Sequence, residues 1–157
     1  EVHGMSQRGG SVVTYVKLGK KIASPLVEQN GADIIMSFEK LEALRWMDYL
    51  KKDGKLIIND QRIDPMPVIT GKEKYPEGII ETLRGEYGDN VISIDALLIA
   101  KDLGNIRVVN MILIGILASK TSIEKEVWLE ALREVLPAKL HDINEKAFEI
   151  GYSFAVI

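Results

Sequence analysis

Hydrophobic residues fall into short continuous runs in the first two thirds of this chain and into helical stripes in the last third. Ile34-Ile35-Met36, Leu56-Ile57-Ile58 and Val91-Ile92-Ser93-Ile94 are apolar runs bounded by polar turns. Such runs suit strands covered on both faces, as in an α/β sheet. Residues 12–18 are rich in β-branched and aromatic side chains and predict a further strand. Between the first two runs, residues 39–51 place Leu41, Leu44, Met47 and Tyr49-Leu50 on one packed side of a helix, and Asp53-Gly54 predicts the stop. The strand–helix–strand order implies parallel strands joined by a crossover.

An irregular segment is expected around Asp64-Pro65-Met66-Pro67 and on to Tyr75-Pro76. Ile79, Ile80, Leu83 and Tyr87 then mark a short helix, and beyond Asp95 the pattern is helical to the end. Residues 108–119 carry no charge, and Gly115 within them permits close helix approach. Thr121-Ser122-Ile123-Glu124 matches a capping box. The helix it opens is predicted to pack Ile123, Val127, Trp128, Ala131, Leu132 and Val135. Pro137 suits the first turn of a last helix striped by Leu140, Ile143, Ala147, Ile150 and Phe154. The expected fold is a three-layer α/β/α domain over residues 1–157, with a mostly parallel central sheet and a helical C-terminal third packed on one side.

Composition narrows the function. The 157 residues carry a net charge of -3 and no basic run longer than Lys20-Lys21, so nucleic acid is not an expected partner. No run reaches the roughly 20 apolar residues of a membrane span. The opening residues lack the pattern of a secretory signal, and a cytosolic chain is expected. Cysteine is absent, which excludes disulfides and Cys-held iron–sulfur clusters on these residues. His3 and His141 are too far apart for a His-x-x-x-His pair, and no metal site is expected.

No nucleophile–base pair is readable, and no catalytic residue is assigned. Asp33, Asp60, Asp64, Asp89 and Asp95 fall near strand ends, where α/β folds collect ligands but also place turn and cap residues. Asn59-Asp60-Gln61-Arg62 follows a buried strand and is the strongest of these segments, although a solvated loop is the expectation even there. A sharper feature precedes the first predicted strand: His3, then Gln7-Arg8-Gly9-Gly10-Ser11. The guanidinium fork of Arg8 beside two glycines can hold an anion, dock on a partner, or form a solvated turn.

His3-Gly4-Met5-Ser6-Gln7-Arg8-Gly9-Gly10-Ser11-Val12 resembles the Gln-Arg-Gly-Gly signature of gamma-type subunits of 2-oxoacid:ferredoxin oxidoreductases, in particular the indolepyruvate branch. Gly31-Ala32-Asp33-Ile34-Ile35, Leu41-Glu42-Ala43-Leu44-Arg45 and Lys146-Ala147-Phe148-Glu149-Ile150-Gly151-Tyr152 continue the similarity along the chain. Members of that family open with a strand and a Gly-rich loop before this signature, so the resemblance implies an N-terminally incomplete domain. It further implies an accessory subunit without a catalytic group of its own. Its complex would oxidatively decarboxylate an arylpyruvate to the acyl-CoA and pass electrons to ferredoxin. Thiamine diphosphate, Mg and the iron–sulfur clusters would sit on the large catalytic subunit, with coenzyme A and ferredoxin met through the complex. His3, Gln7, Arg8, Gly9, Gly10 and Ser11 would face the shared active site. The competing reading is a stand-alone α/β module that binds a nucleotide or organic anion at the same loop.

Overall fold

A computed structural model describes residues 2–3 and 12–154. Its centre is a three-stranded sheet of β3 (Ala32–Ser37), β4 (Leu50–Asn59) and β5 (Val91–Ile94), all parallel, with β4 in the middle. Registers run Ile35 opposite Leu56 and Leu56 opposite Val91. The three apolar runs form these strands because each side chain finds a helical layer on its own face. Leu56 and Ile58 pack with Ile35 and Val91 beneath α1 (Lys40–Trp46) and α3 (Ile79–Tyr87). Ile57 points the other way, into a larger core with Ile94, Ile34 and Met36. That second core is closed by α4 (Ala96–Asp102), α5 (Val109–Ser119), α6 (Lys125–Val135) and α7 (His141–Phe154). The three-layer α/β/α arrangement and the one-sided helical C-terminal third are therefore as expected. A short helix, α2 (Met66–Ile69), lies in the connection that was expected to be irregular.

The sharpest packing lies between α5 and α7. A Cβ on Gly115 would collide with the Phe148 carbonyl and approach the Tyr152 nitrogen to 2.8 Å. A Cβ on Gly151 would collide with the Ile112 carbonyl. Two glycines thus face each other's helix backbone, and neither position has room for a side chain. The close approach inferred for Gly115 is present; its counterpart Gly151 was not foreseen.

Four expectations are corrected. The predicted strand over residues 12–18 shortens to β2 (Val13–Thr14), which pairs antiparallel with β1 (Val2–His3) and stays apart from the central sheet. β-branched composition favours a strand only where a neighbour and a core complete it. Beyond Thr14 the described residues supply neither, and Val16 and Leu18 are 75% and 83% exposed.

The helix predicted for residues 39–51 ends at Trp46, passes through one 3₁₀ turn at Met47–Tyr49, and gives way to strand at Leu50. Leu50 meets the helical spacing, yet its burial is decided by its place opposite Ala32. The next ladder pair is Ile34 with Lys55, so residues 51–54 bulge out of register. Gly54 is no helix terminator. It lies buried inside the bulge, where a Cβ would come within 2.6 Å of the Leu50 side chain.

The capping box does not form. Thr121 donates its hydroxyl to the Ala118 carbonyl at 2.9 Å, at the end of α5, and Glu124 takes the N-cap place of α6 without a side-chain cap bond. Finally, the packed faces of the last two helices are rotated from those predicted. Trp128, Leu129, Leu132 and Leu136 turn inward, and Ile123, Val127 and Val135 are left exposed. On α7 the inward residues are Ile143, Asn144, Ala147, Phe148, Gly151 and Tyr152, so Ile143 and Ala147 of the predicted stripe do pack, with Phe154 outside. Periodicity gives the width of an apolar face but not which part of it a neighbour covers.

Candidate functional site

Parallel strands bring their carboxyl ends to one edge of the sheet, which is where ligands of open α/β sheets bind. Here that edge is built on three buried polar residues: Ser37, Glu39 and Asn59. Ser37 ends β3, and its Oγ donates to the Glu39 carbonyl at 2.6 Å, turning the chain into α1. Glu39 caps that helix, its Oε2 accepting from the Glu42 N–H at 3.0 Å. Its Oε1 accepts from the Tyr75 hydroxyl and from the Ile63 N–H at 3.4 Å. Glu39 thus pins both the loop after β4 and the segment before α3 to the sheet edge.

Asn59 ends β4 and is fully buried. Its Nδ2 donates to the Phe38 carbonyl at 3.1 Å and to Gln61 Oε1 at 3.0 Å, and its Oδ1 accepts from the Ala96 N–H at 3.0 Å. Burial of an amide requires this degree of satisfaction, since each unmet bond would cost on the order of 1–3 kcal/mol.

Outside these lies a charged ring. Lys40 pairs with Asp60 at 2.9 Å. Arg62 meets Asp64 at 2.6 Å and sets its guanidinium 4.5 Å over the Tyr75 ring. Burial, then the bond to Glu39, push the Tyr75 phenol well above its usual range, so it stays a neutral donor. Asp95 caps α4 by accepting from the Leu98 N–H at 2.8 Å. Phe38, Ile63 and Leu98 stand exposed around this polar centre.

Of the five strand-end aspartates, Asp60, Asp64 and Asp95 lie around this edge, and each is committed to a cation or a cap. Asp33 and Asp89 do not join them. Asp33 lies near the start of β3, paired with Lys51, and Asp89 is in the 3₁₀ turn before β5. Asn59-Asp60-Gln61-Arg62 lies along the edge, with Asn59 as its organising residue. Sequence reasoning missed Ser37, Glu39 and Tyr75. The legible signal was the polar Ser37-x-Glu39 between a buried strand and a helix start. Only the fold reveals Tyr75, which reaches Glu39 across 36 positions of sequence.

His141 accompanies the Leu136 carbonyl at 2.8 Å and serves α7. Among the described residues no three His, Cys, Asp or Glu side chains come together as a metal site. None of their helices is long and apolar enough to cross a membrane. Gln7, Arg8, Gly9, Gly10 and Ser11, and the side chain of His3, lie outside the described residues. The pairing of His3 with Val13 fixes both ends of that loop side by side.

A family profile described as pyruvate ferredoxin/flavodoxin oxidoreductase matches residues 1–154. The chain belongs to that family. Indolepyruvate oxidoreductase subunit IorB of Thermococcus kodakarensis is 38% identical over 159 residues, covering 99% of this chain and 79% of the relative. The corresponding subunit of Pyrococcus horikoshii is 39% identical over the same shares. Among solved structures, the keto/oxoacid ferredoxin oxidoreductase gamma subunit of Geobacter sulfurreducens superposes with a TM-score of 0.58 at 19% identity. That superposition covers 79% of this chain and 64% of the other, a likeness of fold. These relatives are subunits of oxidoreductases, and the α/β/α core described above is the family's oxidoreductase gamma-type fold.

Proposed function

We propose that this chain is the accessory subunit of a thiamine-diphosphate-dependent 2-oxoacid:ferredoxin oxidoreductase acting on indolepyruvate or a related arylpyruvate. The observation that carries this reading is identity of 38–39% to indolepyruvate oxidoreductase subunits along 99% of the chain. The reaction is oxidative decarboxylation to the acyl-CoA, with electrons passed to ferredoxin. The partner is a large catalytic subunit that carries the cofactors. The donor set agrees with that division: the sequence has no cysteine to hold a cluster, and the carboxylates at the sheet edge are bound to cations and caps. Bound thiamine diphosphate supplies the electron sink for decarboxylation, and this chain positions and encloses.

The loop of His3, Gln7, Arg8, Gly9, Gly10 and Ser11 faces the shared active site in this reading. The Arg8 guanidinium meets an anionic group there, a coenzyme A phosphate, the substrate carboxylate or an acidic side chain of the partner, with backbone N–H groups of Gly9 and Gly10 beside it. Steady-state kinetics of the reconstituted complex test this, with the oxoacid and coenzyme A varied separately. Arg8→Ala is expected to lower kcat/KM for one of them roughly 30- to 1000-fold while assembly stays intact. Values within about twofold of wild type for both would make the loop a structural turn.

A further inference from the structure

Helix α6 carries a row of apolar side chains that no part of the described fold covers. Val127, Ala131 and Val135 follow one another at four-residue steps, so the three lie along one line of the helix surface, and the exposed Ile123 stands just ahead of the first turn. Val127 is 51% and Val135 79% exposed, and Ala131 is exposed as well. Single exposed apolar residues are ordinary on a protein surface; a continuous row of three on one helix, with a fourth just before it, is not.

The row has two unlike borders. On one side lies the inward face of Trp128 and Leu132. On the other, Glu126, Glu130 and Glu134 repeat at the same four-residue step, all exposed. The cations of α6 are bonded to another helix, and Arg133 acts on Glu130 only through space. Lys125 turns to Glu149 at 2.5 Å, and Arg133 makes a bidentate pair with Glu145 at 2.7 and 2.9 Å, both on α7. The apolar row is therefore edged by an acidic one.

Resting on the accessory-subunit reading, we propose that this row is the docking surface for a helix of the large catalytic subunit. That helix carries apolar residues against Val127, Ala131 and Val135 and lysine or arginine against the glutamates. Charge selects this occupant over a second copy of the chain. Two copies of α6 packed antiparallel about a twofold axis would set one glutamate row beside the other, a repulsion that a basic partner replaces with attraction. Ala131 at the centre leaves room for a large side chain of the partner.

The test measures the affinity of the full chain for the purified large subunit of the same oxidoreductase. Val127→Asp with Val135→Asp is expected to weaken binding roughly 30-fold or more. Glu130→Lys with Glu134→Lys is expected to weaken it about fivefold, mostly in the association rate, and to flatten its dependence on salt. Should the aspartate pair lower helicity, Val127→Ala with Val135→Ala keeps helix propensity and is expected to cost about fivefold. Unchanged affinity in the valine variants beside a normal wild-type complex overturns this surface and leaves the accessory-subunit reading standing. Failure of the wild-type chain to bind the large subunit at all overturns both. A wild-type homodimer that Val127→Asp with Val135→Asp dissolves assigns the row to a second copy and overturns the proposal.

Discussion

Helices α5 and α6 are neighbours of equal length, eleven residues each, yet they are held in opposite ways. α5 has no charged residue; Met111, Ile112, Leu113, Gly115, Ile116 and Ala118 are all buried, and its backbone presses directly on that of α7. α6 buries a single residue to a comparable degree, Leu132, and fastens itself to α7 by Lys125–Glu149 and Arg133–Glu145. One helix is fixed by shape, which tolerates no added atom. The other is fixed by a narrow apolar seam and exposed ion pairs, which tolerate many. An internal helix packed backbone to backbone and a peripheral helix with an exposed face are built from the same length of chain.

The heaviest blow to that contrast is steric. Gly151→Val, or Gly115→Val, drives a side chain into the facing backbone and is expected to cost about 4 kcal/mol or more, or to prevent folding. Denaturant unfolding measures it, with Gly85→Val in open space on α3 as the control. A wild-type midpoint for Gly151→Val would mean that α5 and α7 do not meet there.

A cavity makes the next test. Ile116→Ala, in a fully buried position, is expected to destabilise by about 3 kcal/mol, whereas Val127→Ala on α6 stays within about 0.5 kcal/mol. Equal losses at the two sites would erase the distinction between the helices.

The smallest effect concerns the ion pairs. The hydrogen bond from Arg133 holds the Glu145 carboxyl below its usual range. A group whose pKa is depressed by folding stabilises above its unfolded value and loses that contribution as pH falls through the folded one. Glu145→Gln is therefore expected to melt slightly below wild type at neutral pH, with the two curves converging below about pH 4. A difference that grows on acidification would contradict this linkage.

The three parallel strands were legible because burial on both faces writes a short, mostly apolar run, and α5 because its apolar pattern carries no charge. The border between α1 and β4 was not. Leu50 satisfies a helical and an extended pattern equally, and only its pairing with Ala32 decides. Gly151 was unreadable for a related reason: a glycine inside a helix explains itself only when the facing backbone is known. At the candidate site, the quartet from Asn59 to Arg62 could be picked out as a polar segment after a buried strand. Its three-way tie could not, since Phe38 and Ala96 lie 21 and 37 positions away. The Gln-Arg-Gly-Gly loop was the opposite case, a signature plain in sequence whose geometry is not described.

The tie at Asn59 has a mechanical meaning. Phe38 leads into α1 on one side of the sheet and Ala96 opens α4 on the other, and one amide side chain holds both. The two helical layers are riveted at the rim where they would otherwise be freest to splay. A molecule or subunit arriving at that rim meets a surface already set, with little left to order on contact. Because the two layers share one amide, a change at Asn59 is felt by both at once.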